Sequence, residues 1–161
     1  MYTYTDDSNT EVDPRGLSQG KAIISQYKNG LPEEHFTIQI QTQEGWDLNT
    51  HQVITSSDHS STKIINNITG LGEAPYELVH SIEIDLSDAD AALKHQKELM
   101  KISDLRKYDV LENSCLSHIT DVLEKGDNTP LSKSKLGYAI FLRKHGFNLI
   151  GFMRFFFVIQ H

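Results

Sequence analysis

Tyr108-Asp109-Val110-Leu111-Glu112-Asn113-Ser114-Cys115-Leu116-Ser117-His118-Ile119-Thr120-Asp121-Val122-Leu123-Glu124-Lys125-Gly126 is the stretch from which the rest of the chain is best read. Leu116, Ile119, Val122 and Leu123 fall on one apolar stripe at helical spacing. Asn113 and Ser114 offer N-caps and Gly126 a C-cap, so a helix is expected from near Asn113 or Ser114 to Lys125. The chain's single cysteine, Cys115, then lies in the first turn. There the unpaired backbone N–H groups and the helix dipole favour negative charge. Such a place lowers a thiol's pKa, and the same N–H groups can hold an oxyanion. Cys115 is therefore the candidate nucleophile on mechanism alone.

Upstream, His35-Phe36-Thr37-Ile38-Gln39-Ile40-Gln41 alternates apolar and polar residues, the mark of a half-buried strand. Glu44-Gly45 signals a turn, and Trp46 to Ile54 is read as the return strand of a hairpin. Residues 55 to 63 read as a loop, and Leu78 to Leu86 as another alternating strand. Ser87-Asp88-Ala89-Asp90 suggests a capping box with Ser87 as N-cap, followed by a helix over Ala91 to Lys101. A third helix is expected over Ser132 to Lys144, closed by Gly146. The first 30 or so residues, rich in Asp, Ser, Asn, Thr, Gly and Pro, read as loop or linker. The expected fold class is α+β, a small antiparallel sheet packed against helices.

At 161 residues the chain fits one domain with its own core. A net charge of -7 argues against broad binding to nucleic acid or anionic membrane, and neither is expected as a partner. One cysteine excludes an internal disulfide and a cysteine-rich zinc site. Asp58 and His59, with His51 nearby, are the only hint of a metal site, and without an HExxH pattern no metal or other cofactor is expected. The apolar run Phe147 to Ile159, interrupted by Arg154, is too short to span a bilayer and reads as a last core element.

A thiol nucleophile needs a base, and histidine suits neutral pH. His35 opens a strand, a rigid element on which to hold one. His118 reads as structural beside Cys115, and His95 as solvated on its helix.

The segment from Ile82 to Gly126 resembles the second half of permuted papain-like hydrolases, a group that includes the permuted NlpC-type peptidases and relatives of lecithin retinol acyltransferase. Tyr108 to Cys115 and Ile119 to Leu123 occupy the places of that group's cysteine motif and core helix. Ser114 stands where the group often has Asn, and His118 where it often has an aromatic residue. The resemblance implies a circularly permuted papain-like fold over roughly residues 32 to 126. It implies His35 as the base, because the histidine precedes the cysteine on the first strand of the sheet. A third, orienting residue is implied on the next strand. Asn49, His51 and Gln52 are the candidates, with His51 preferred, since the hairpin register decides which faces the site.

A second resemblance lies at the front. Tyr2-Thr3-Tyr4-Thr5, Asn9 and Asp13-Pro14-Arg15-Gly16-Leu17 occur in the order found where the core of RHS/YD-repeat proteins ends and a toxin domain follows. It implies that residues 1–30 are the core–toxin junction and 31–161 the toxin domain. In that family the motif closes the RHS shell, the tip is released by autoproteolysis close to it, and a cognate immunity protein protects the producer. Together the two resemblances imply a secreted cysteine protease, an effector of the type VI secretion kind used in competition between bacteria. It would act on proteins in a recipient's cytoplasm. A peptidoglycan amidase or endopeptidase in the periplasm, a lipid acyl hydrolase, and a non-enzymatic membrane-active tail are the alternatives.

Overall fold

The computed structural model describes residues 18–28, 34–45, 48–66, 76–128 and 132–149. Five strands form one antiparallel sheet: β1 (Gly20–Lys28), β2 (Glu34–Thr42), β3 (Asn49–Ile54), β4 (Thr62–Asn66) and β5 (Glu77–Leu86), in the order β4-β3-β2-β1-β5. Among the described residues three helices follow: α1 (Ala89–Leu99), α2 (Cys115–Lys125) and α3 (Lys135–Lys144). The domain is α+β, as the sequence predicts.

Strand register explains the core. Ala22, Ile24 and Gln26 of β1 pair with Ile40, Ile38 and Phe36 of β2, and with Ile84, Ile82 and His80 of β5. Because side chains alternate, these residues share one face. Ala22, Ile24, Phe36, Ile38 and Ile40 are buried there against Leu116, Ile119, Val122 and Leu123 of α2 and Tyr138, Phe141 and Leu142 of α3. The apolar stripe of α2 is thus the layer that closes the sheet.

Residues 20–28, expected as linker, are instead a strand inside the sheet, with β2 on one side and β5 on the other. The weak periodicity misled because one inward position, Gln26, is polar and Ser25, on the opposite face, is covered as well. Ser25 and Gln26 are both buried, and the Gln26 carboxamide pairs with the backbone of Asn148, donating to its O and accepting from its N, each at 3.0 Å. Ser18 is also built in: its carbonyl accepts from Ala89 N at 2.7 Å and its hydroxyl from Asp90 N at 3.0 Å. The junction motif of residues 2–17 lies outside the described residues.

Helix α1 begins one residue later than the expected cap. Asp88, not Ser87, is the N-cap, its carboxylate accepting from Ala91 N at 3.0 Å. The expected loop at 55–63 ends in β4, and α3 starts at Lys135, capped by Ser134. Of the apolar run at 147–159, Phe147 is buried against Phe36 and Phe141, and residues 150–161 lie outside the described residues.

If β1 is structural, Gly20 matters. A Cβ there would meet the Gln41 carbonyl oxygen at 2.2 Å and the Ala89 Cβ at 2.5 Å. Gly20→Ala is expected to lower unfolding free energy by about 1–3 kcal/mol, measured by urea denaturation. An unchanged midpoint would return residues 20–28 to linker status.

Candidate functional site

Ser114 caps α2, accepting from Ser117 N at 3.3 Å, while the Ser117 hydroxyl accepts from Ser114 N at 2.7 Å. This reciprocal box places Cys115 as the first helical residue, the position expected from sequence. Asn113 fixes what precedes it. Its Oδ1 accepts from Gln52 Nε2 at 2.7 Å, and its Nδ2 is set to donate to Thr62 Oγ1, Arg106 O and Lys107 O at 3.0, 3.2 and 2.8 Å. Gln52 also donates to Thr62 at 2.9 Å. The loop leading to Cys115 is therefore tied to β3 and β4 by side chains.

This tie lies where the ladder between β2 and β3 has ended. Those strands pair only at Ile38–Thr50 and Gln39–Asn49. Beyond that point the first turn of α2 meets β2, and the backbone of Phe36, Leu116 and Cys115 acts to lower the thiol's pKa, against the larger effect of burial.

The register also settles which β3 residue meets His35. Gln39 pairs with Asn49, so alternation puts Asn49 and His51 on the face of His35, and Thr50 and Gln52 on the helix face. His35 Nε2 and His51 Nδ1 lie 2.5 Å apart, with ring centroids 4.6 Å apart and edge-to-face. Asn49 leaves its Oδ1 buried and unpartnered, and Gln52 is engaged with Asn113. His35 also lies against Tyr76, centroids 5.9 Å apart. The structure thus joins His35 to His51 on the sheet face away from the helices, while Cys115 packs on the helix side with Phe36, so the expected dyad of Cys115 and His35 is not brought together. No hydrogen bond joins the His35 ring to the Cys115 sulfur among the described residues.

The electrostatics differ from those expected of a helix-start thiol. Burial pushes Cys115 up to about 11; the N–H groups of Phe36, Leu116 and Cys115 pull it down but do not win. Burial, then the neighbouring His51, holds His35 down at about 3. At neutral pH the pair is a neutral thiol and a neutral imidazole, not an ion pair. A thiol held neutral becomes a nucleophile only as a base removes its proton.

His118 is structural in this arrangement. It is buried on the helix face, with Nε2 2.8 Å from Thr50 Oγ1. Gln96 Nε2 donates to the same Thr50 oxygen at 2.6 Å and to Ile38 O at 3.0 Å. Burial, then His95 and His51, holds His118 at about 3. The Tyr138 hydroxyl, which no motif singled out, donates to Leu111 O at 2.8 Å and packs α3 onto the loop before Cys115. Of the residues weighed for zinc, His51 meets His35 and Asp58 accepts from Ser60.

No family model, no curated protein and no solved structure matches the chain.

Two measurements check the electrostatics. The rate of Cys115 alkylation by iodoacetamide should be low at pH 7 and rise toward about 11; a plateau at acidic pH would mean an ion pair instead. His35 and His118 titrate near 6.5 when unfolded and about 3 when folded. In that window the unfolded chain binds more protons, so stability is present above it and falls as pH drops. His118→Gln should flatten that fall by on the order of 1 kcal/mol per pH unit, read from urea midpoints between pH 7 and 4.5.

Proposed function

We propose that the chain is the toxin domain of an RHS/YD-repeat protein and a thiol hydrolase of circularly permuted papain-like fold. The observation that carries this reading is the meeting of three elements. Cys115 starts a capped helix, packs beside Phe36 in the core, and the residue before Phe36, His35, is paired with His51. In the proposed reaction His35 takes the thiol proton on Nδ1, while its Nε2–H donates to His51. The sulfur adds to a carbonyl, and first-turn N–H groups hold the oxyanion. His35 then protonates the leaving group, and water releases the acyl-enzyme. By strand alternation His35 faces away from the helix layer that carries Cys115, so the reaction requires the edge of the sheet beyond the Ile38–Thr50 pair to rearrange on substrate binding. The substrate we propose is a protein of a recipient cell's cytoplasm, and the partner a cognate immunity protein.

A second reading makes Cys115 a packing residue. Its neutral, half-buried thiol against the core favours that view. Growth of a host expressing the domain in the cytoplasm separates the two, comparing wild type with Cys115→Ala, His35→Ala and His51→Ala, folding checked by circular dichroism. The hydrolase reading expects arrest by wild type only, with Cys115→Ala costing roughly 1,000-fold or more in turnover and His51→Ala less. Equal toxicity of all four leaves Cys115 a packing residue. Killing only after export to the periplasm moves the substrate to the cell wall.

A further inference from the structure

The net charge of -7 conceals a division along the chain. From Asn128 to His161 there are five basic residues, Lys133, Lys135, Arg143, Lys144 and Arg154, and no acid. All twenty-two acids precede this segment, against ten basic residues. Helix α3 displays the difference structurally. Its inner side, Tyr138, Phe141 and Leu142, is buried in the core. Its outer stripe runs Leu136, Ile140, then Arg143 and Lys144, at helical spacing. Leu136 is 69% exposed and Ile140 56%, and Arg143 and Lys144 are exposed at the same end. Lys133 is occupied by Asp121 at 2.6 Å.

Apolar side chains set beside cations that meet no carboxylate among the described residues, on one face of a surface helix, suit an anionic lipid surface. The cations meet the headgroups and the apolar pair enters the interface. We infer that the outer face of α3 docks the domain peripherally on a bilayer carrying anionic phospholipid. Among the described residues no helix is long and apolar enough to cross a membrane, so the contact is with the surface. An acidic protein would satisfy the cations equally, but it would not show graded dependence on lipid charge. This docking is independent of the chemistry proposed for Cys115.

The test is co-sedimentation of the whole chain with vesicles of phosphatidylcholine alone or mixed with phosphatidylglycerol, at low and high salt. Binding should appear only with phosphatidylglycerol and weaken with salt. Arg143→Glu with Lys144→Glu should lower the partition coefficient by about 10-fold or more, and Leu136→Ser with Ile140→Ser should also lower it. Cys115→Ala should bind like wild type, which keeps this result apart from the fate of the hydrolase reading. No binding to phosphatidylglycerol vesicles, or binding indifferent to all four α3 changes, overturns the inference. Absence of vesicle binding with salt-sensitive capture of an acidic protein through the same four residues overturns it in favour of a protein partner.

Discussion

The carboxamide of Asn113 joins parts of the molecule that the backbone leaves separate: β3 through Gln52, β4 through Thr62, and the loop carbonyls of Arg106 and Lys107. Two residues later comes Cys115, and one residue before Gln52 comes His51. The spacing between thiol and histidine pair is therefore set by a side-chain hydrogen bond rather than by a strand ladder. Such a joint is sensitive to geometry, because leaving a partly buried amide unpaired costs about 1–3 kcal/mol. A ladder continued past Ile38–Thr50 would have closed the gap into which the helix start now fits.

Beneath that gap, polar residues replace what would ordinarily be apolar packing. Gln96, Thr50 and His118 form a buried chain between α1, β3 and α2. It leaves the Gln96 Oε1 and His118 Nδ1 unpartnered. Low dielectric strengthens the bonds that are made and penalises the atoms left over. The outcome is a helix-sheet interface held in one register by hydrogen bonds and made acid-sensitive by its buried imidazole.

Where the sequence was legible, a period or a cap carried the signal. The α2 stripe, the Ser114 cap and the alternation through His35 to Gln41 gave those elements to within a residue or two. β1 was missed because its inward Gln26 breaks the apolar rhythm and is satisfied only by a contact distant in sequence. The pairing partner of His35 was undecidable from sequence because it depends on hairpin register, which shifts every side chain by one face. The state of the Cys115 thiol was misjudged for a different reason. A helix start announces itself in sequence, while the burial that outweighs it is a property of the assembled core. Whole-chain charge likewise averaged away the division at Asn128.

The Gln26–Asn148 pair has a bearing on the order of assembly. A side chain from near the front of the sheet supplies the two hydrogen bonds that a neighbouring strand would otherwise give to residues 147–149, across 122 positions of sequence. Phe147, packed on Phe36 and His80, is seated by the same contact. Local elements such as α2 can form early, but this closure waits until nearly all the described chain has been synthesised. A chain lacking those residues leaves Gln26, Phe36 and His80 without these contacts, so the β1–β5 side of the core is the last to be completed.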